Sequence, residues 1–334
     1  MDRKTGIYLL ALLAVAALGT AVWAYWGTPP PQQLPVEVAV QMIPMSGPIS
    51  EPQSELSGMA WWRDELVLLP QNPESFGDSV FVSSREDIER YIDEGGAPPA
   101  IRRVPFHAPH DVAGYDGFEA IAIDGDEVFV TIEVRGDTGP VGRILRGRVQ
   151  GSLEGIVIDG PGETLSAQNR LANTGYESLV VHGNQVLALY ETNGSVNDSP
   201  HALVFDHALT PAAERPIAPI EYRVTDATGV DRLGRFWVMN YHWPGAPWQS
   251  GQCAITEQYG QGESHSRCDT VERLVELHVQ GEAIVPTARA PLQLQLLDDA
   301  HPRNWEGVVR LGERGFLIVT DEYPSTMLGF VPLP

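Results

Sequence analysis

A repeat in the spacing of this chain limits its fold more than any other feature. Five segments align in register: SGMAWWRDELVLLPQ from Ser57, EAIAIDGDEVFVTIE from Glu119, ESLVVHGNQVLALYE from Glu177, TGVDRLGRFWVMNYH from Thr228 and EGVVRLGERGFLIVTDE from Glu306. Each opens on a polar residue, runs through a short apolar strand, turns (at Gly125-Asp126 or Gly183-Asn184, for example) and enters a second apolar strand. Turns of this composition between apolar strands are strong hairpin signals. The second strand closes on a polar residue fourteen positions after the first: Ser57 to Gln71, Glu119 to Glu133, Glu177 to Glu191. A hairpin repeated in this way buries its apolar faces by stacking on its own copies, as the blades of a propeller do.

Two more strands complete each unit. Residues 79–83 and 101–106 follow the first hairpin, 143–149 and 153–158 the second, 202–206 and 217–223 the third, and 272–279 and 291–297 the fourth. The fifth has only 327–333 before the chain ends, whereas the alternating run 36–42 (VEVAVQM) has no unit of its own. That run is expected to supply the missing outer strand and close the ring, which removes a free edge. The expected fold is all-β: a five-bladed β-propeller over 36–334, with six blades as the alternative if one more lies within 240–300. One short helix is expected, over Arg85–Glu94.

Ahead of the propeller, Asp2, Arg3 and Lys4 precede an unbroken weakly polar run over 7–26. At ~1.5 Å per residue it is long enough to cross a bilayer core of ~30 Å. Trp23, Tyr25 and Trp26 cluster at its far end, where aromatic rings favour the headgroup layer. Residues 1–27 are expected to form a transmembrane helix, with a cleaved signal peptide as the alternative. The Pro-rich stretch 28–35 then acts as a stiff spacer. This would place the propeller in the periplasm or outside the cell, attached to the membrane through the helix. The only cysteines, Cys253 and Cys268, lie in the exported part and are expected to pair as a disulfide, two free thiols being the alternative. Asp and Glu number 44 against 22 Lys and Arg, a net charge of −22. Nucleic-acid binding needs a basic face, so the expected ligand is a small molecule or envelope component at the tunnel mouth. No P-loop, GxGxxG or Gly-x-Ser-x-Gly elbow is present, which removes support for nucleotide kinases, Rossmann enzymes and α/β-hydrolases.

The innermost strands of a propeller line its tunnel, so Ser57, Glu119, Glu177, Thr228 and Glu306 should converge. Three carboxylates at close range must take up protons or hold a cation. Hard oxygen ligands in a flexible ring suit Ca²⁺, and these five residues are the expected metal ligands. The plainer alternative for any one of them is a hydrogen bond to backbone at a blade junction. The ends of the second strands, Gln71, Glu133, Glu191, Tyr241 with His242, and Asp321 with Glu322, form a second tier at one mouth. Glu133 and Glu191 are the candidate catalytic bases. Asn193, Asn240, His107, His110 and Trp305 are further candidates from strand ends and loops, and Arg235, Arg303 or Arg310 could add positive charge. The aromatic segment 237–248 (WVMNYHWPGAPW) is a candidate contact surface.

The ring order Ser57, Glu119, Glu177, Thr228, Glu306 resembles that of the calcium-activated nucleotidases (apyrases). Those are five-bladed propellers whose ring reads Ser, Glu, Glu, Ser, Glu around Ca²⁺. The stretches ELSGMAWWRDELVLL, GFEAIAIDGDEVFV, GYESLVV and NWEGVVRL look similar as well, and the resemblance covers about a quarter of the chain. It implies the fold, a calcium site and an anchored, exported domain. The chain departs from the family at Gly58, where an acidic residue is usual, and at 69–74 (LPQNPE), where an acidic-plus-Arg turn handles the polyphosphate. Nucleotidase activity is therefore not implied. The segments also look like bacterial propellers grouped as phytase-like esterases or SdiA-regulated proteins. Two functions are expected on these grounds. One is metal-dependent hydrolysis of a phosphate ester or anhydride, with Glu133 or Glu191 deprotonating a water. The other is a non-catalytic, calcium-stabilised binding propeller of the cell envelope. A carboxylate pair acting on a sugar is a third.

Overall fold

Short apolar runs punctuated by turn residues leave little choice but strands. The computed structural model describes residues 35–334 except 52–53, 110–111, 137–138, 299–300 and 322–324. The expected anchor over 1–27 and spacer residues 28–34 lie outside the described residues. Among the described residues no helix is long and apolar enough to cross a membrane.

Two short strands come first, β1 (Glu37–Val38) and β2 (Gln41–Ile43). A first meander contains β3 (Leu56–Trp62), β4 (Glu65–Pro70), β5 (Ser79–Ser84) and β6 (Ile101–His107). A second contains β7 (Tyr115–Asp124), β8 (Glu127–Gly136), β9 (Gly139–Gln150) and β10 (Gly155–Leu165). A third contains β11 (Ser178–His182), β12 (Gln185–Leu189), β13 (His201–Asp206) and β14 (Pro211–Pro216). The fourth runs β15 (Arg223–Ala227), β16 (Arg235–His242) and β17 (Val271–Gln280), and β17 also pairs with β18 (Ala283–Pro286) and β19 (Leu292–Leu294). The last contains β20 (Trp305–Leu311), β21 (Gly315–Thr320) and β22 (Leu328–Pro332). Its fourth strand comes from the other end of the chain: β2 pairs antiparallel with β22, Gln41 opposite Phe330. β1 lies parallel to β19 in the preceding sheet. β6 and β10 pair in parallel, which joins the first two meanders into one eight-stranded sheet.

Continuous apolar runs such as LVLL in β4 and FLIV in β21 are buried throughout, because a meander stands against each face. The outer strand β6 instead alternates, with Val104 and Phe106 buried between exposed neighbours. Apolar clusters fill each gap between consecutive meanders, from Phe106 with Phe118 between the first and second to Met59 with Leu317 between the last and first. The innermost strands touch in the order β3, β7, β11, β15, β20 and back to β3. This circuit of sheets is an all-β, propeller-like fold.

Local expectations meet the structure unevenly. The turns at Gly125 and Gly183 are two-residue hairpins, and both glycines take φ near +60°, which a two-residue turn of this kind needs. Helix α1 (Arg85–Glu94) begins at Ser84, whose Oγ accepts the Asp87 N–H at 3.1 Å. The outer strand expected over 217–223 is instead Pro211–Pro216, and Arg223 already opens the next inner strand. PAAERP is exposed apart from Arg215, so this outer strand carries no apolar periodicity to read. The expected disulfide is also corrected. Cys253 and Cys268 form no disulfide, and Cys253 Sγ accepts a hydrogen bond from Arg273 Nη2 at 3.1 Å.

Candidate active site at the mouth of the ring

In four of the inner strands the pairing register slips by one residue at the same place. The displaced residues are Ser57, Glu119, Thr225 and Glu306. A bulge sets two residues against one and re-aims the extra side chain. Glu177 immediately precedes β11. The fourth member of the set is thus Thr225 and not Thr228. The fourth hairpin has a longer turn than the others, held by Asp231 Oδ1, which accepts the N–H groups of Leu233 and Arg235. Thr228 lies beyond the end of β15, where its Oγ1 accepts the Trp237 N–H at 3.0 Å.

A cavity of about 710 Å³ opens at this end of the strands. Of the expected ring, Glu119, Glu177 and Glu306 line it, whereas Ser57 and Thr228 do not reach its wall. The expected second tier lines it through Gln71, Glu133, Glu191, Tyr241 and Asp321. His110 and Glu322 lie outside the described residues. Asn240, buried, donates to the carbonyls of Glu221 and Arg223 and accepts from Arg273 Nε. Asn193 is buried against the Tyr190 carbonyl, and His242 stacks on Tyr222. His107 is exposed at the end of β6. Trp305 Nε1 donates to Glu272 Oε2 at 2.8 Å, and Arg303 forms a buried ion pair with the same carboxylate. Arg235 pairs with Asp231 and Arg310 with Glu313, both away from the cavity.

The cation that does face the cavity is Arg223. Its Nη2 lies 2.7 Å from Glu177 Oε1 and 3.8 Å from Glu306 Oε1, and its Nε bonds to Glu191 Oε2. The neighbouring Tyr222 takes φ +76°, and this kink sends the residues on either side of it to different places. Arg223 serves the ring, while Glu221 accepts from Ser195 N, Ser195 Oγ and Gly251 N. Those bonds fix the end of the loop that brings Trp243 and Trp248 to the cavity rim. Across the cavity, Asn304 Nδ2 donates to Glu306 Oε1 at 2.7 Å and to Asp321 Oδ2 at 3.3 Å.

Burial governs the titration of this site. It pushes Glu306 up to about 8, helped by the Asp321 charge and opposed by Arg223 and Asn304. Burial likewise holds Glu119 well above the usual carboxylate range, with Glu133 and Glu306 adding repulsion. Glu177 is also raised well above it by burial, which outweighs the attraction of Arg223. Glu133 is raised by burial and by Asp116. Arg223 is itself buried, yet the three carboxylates keep it firmly charged.

Calcium, the expected cofactor, does not fit these side chains as they stand. Among the described residues no three His, Cys, Asp or Glu side chains gather as a group able to hold a metal ion. The guanidinium of Arg223 already takes the ion-pairing oxygens of Glu177 and Glu191 and approaches Glu306.

No protein-family profile matches the chain, and no curated protein matches it in sequence. Solved structures resemble it at low identity. The PQQ-bound aldose sugar dehydrogenase of Streptomyces coelicolor is 13% identical, with a TM-score of 0.46 covering 90% of this chain and 99% of that one. The glutaminyl cyclase of Myxococcus xanthus is 9% identical, with a TM-score of 0.43 and the same coverage. An α-L-arabinanase mutant of Cellvibrio cellulosa is 10% identical, with a TM-score of 0.47 covering 82% of this chain and 90% of that one.

Proposed function

We propose that the chain is a five-bladed propeller hydrolase, exported and anchored through residues 1–27, that cleaves uncharged glycosides by carboxyl acid–base chemistry. The observation that carries this reading is Glu306, a carboxyl with a pKa near 8 facing the same cavity as Glu133 and Glu191. A carboxylic acid still protonated at neutral pH is equipped to donate a proton. Glu306 gives its proton to the glycosidic oxygen as the bond to the anomeric carbon breaks. Glu133, half-buried and more basic than a surface carboxylate, takes a proton from the water whose oxygen joins that carbon. Glu191, bound by the Gly175 N–H at 2.8 Å and by Arg223, steadies the floor. Trp243 and Trp248 offer aromatic faces at the rim for the apolar face of a sugar ring. A phosphate ester or anhydride suits this cavity poorly. The one cavity-lining arginine among the described residues is already paired, so no guanidinium is left for such a substrate's anionic oxygens.

The test is hydrolysis of a panel of uncharged glycosides and polysaccharides beside nucleotides and sugar phosphates, with and without chelator. Turnover of an uncharged glycoside should persist in chelator, and Glu306→Gln should lower kcat by ~10²–10⁴. Phosphate release that chelator abolishes would establish the metal-dependent phosphohydrolase instead. Ligand binding without turnover by wild type or variant would make the protein a binding propeller.

A further inference from the structure

The ring has a built-in positive charge, and its placement goes beyond any choice of substrate. Arg223 opens β15, where its carbonyl accepts from Asn240 Nδ2 at 2.9 Å and the next residue, Val224, donates its N–H to the Glu191 carbonyl at 2.7 Å. The backbone is thus pinned at both sides, and the side chain is almost enclosed, 13% exposed. From that point one guanidinium meets Glu177 and Glu191 of the third meander and Glu306 of the last. Glu177 is buried, and its second oxygen, Oε2, has no hydrogen-bond partner. A carboxylate oxygen left in this state is one that a further cation would satisfy.

We infer that Arg223 is the resident cation of the axial ring, holding together the carboxylates that a divalent metal would otherwise bridge, and that the ring is a latent calcium site kept closed by this side chain. A dication among these oxygens would sit within a few ångströms of the guanidinium, and at that range like charges exclude one another. Replacing Arg223 with a neutral residue leaves Glu177, Glu191 and Glu306 facing one another with no cation, the condition under which hard carboxylate oxygens recruit Ca²⁺. The inference stands whether or not the cavity cleaves glycosides.

Calcium titration calorimetry and terbium luminescence, sensitised through the tryptophans, test it on the full chain and on Arg223→Gln and Arg223→Lys. Wild type and Arg223→Lys should take up no ion at millimolar concentration, and calcium should leave their Tm unchanged. Arg223→Gln should bind one equivalent with a Kd of about 0.1–1 mM, in the range of extracellular calcium modules, and its Tm should rise with calcium. An Arg223→Gln chain that is unfolded alone and folds when calcium is added supports the inference equally. Stoichiometric calcium or terbium binding by wild type overturns it. So does an Arg223→Gln chain that takes up no ion, folded or unfolded, while Arg223→Lys folds normally.

Discussion

At Glu306, burial and the Asp321 carboxylate keep a proton on the side chain up to about pH 8. The unfolded chain releases the same proton near 4.5, so the folded state binds it more tightly. The stability this contributes is complete below about 4.5 and is lost as pH rises through 8. Glu119 and Glu177 are displaced in the same direction. Urea unfolding should therefore show stability falling from pH 5 to pH 8, by at most ~1.4 kcal/mol per pH unit for each such group. Glu306→Gln should flatten that slope, and an equal slope in both proteins would remove Glu306 as its source. The same proton limits the proposed chemistry, so kcat/KM should decline as pH passes 8. Asp226 acts structurally. Its carboxylate accepts the N–H of Val308 at 2.7 Å and that of Ala227 at 2.7 Å, which ties β15 to β20. Asp226→Ala strands a buried N–H and should cost about 1–3 kcal/mol in chemical denaturation. At this scale the sequence was legible where spacing was regular. Fourteen-residue intervals point to Glu133 and Glu191, and the strand ends to Tyr241 and Asp321. Arg223 was hidden because the run before it has the look of one continuous strand, and nothing local marks the kink at Tyr222.

The short strands β1 and β2 depend on side chains as much as on pairing. The Glu37 carboxylate accepts the N–H groups of Ser264 and His265 and sits 2.9 Å from His265 Nδ1, so this segment grips the loop after residue 260. Those bonds hold its pKa below the ordinary value against the effect of burial. Glu37→Ala leaves several donors without their acceptor and should lower stability by about 2 kcal/mol, read as a lower midpoint in urea. Deleting residues through 43 uncovers the edge of β22 and should give a chain that self-associates, visible by light scattering. Most elements could be read from apolar runs and turn residues. β14 could not, since a strand exposed apart from Arg215 leaves no apolar alternation, and the fourth hairpin lies three residues earlier than its spacing suggests because its turn is longer than the others. The aromatic segment was visible, but its position at the cavity depends on Glu221 and Gly251, residues from separate loops.

Across the whole molecule the net charge of −22 works against compaction, since like charges in a closed circuit of sheets cannot move apart. Raising NaCl from about 10 to 300 mM shortens the screening length from about 30 Å to less than 10 Å and should raise Tm by several degrees. A Tm independent of salt would show that local pairs such as Arg303 with Glu272 already offset the repulsion. The circular arrangement was legible because the same hairpin recurs and the chain leaves one strand unassigned at the start and one vacancy at the end. The joining of the first two meanders through β6 and β10 was not, since a parallel contact between outer strands leaves no mark in either sequence. The pairing of β2 with β22 also sets an order in time. β2 is made more than 280 residues ahead of β22, so it stays without its partner until the last sheet has been synthesised. Until then the growing polypeptide carries an unsealed seam.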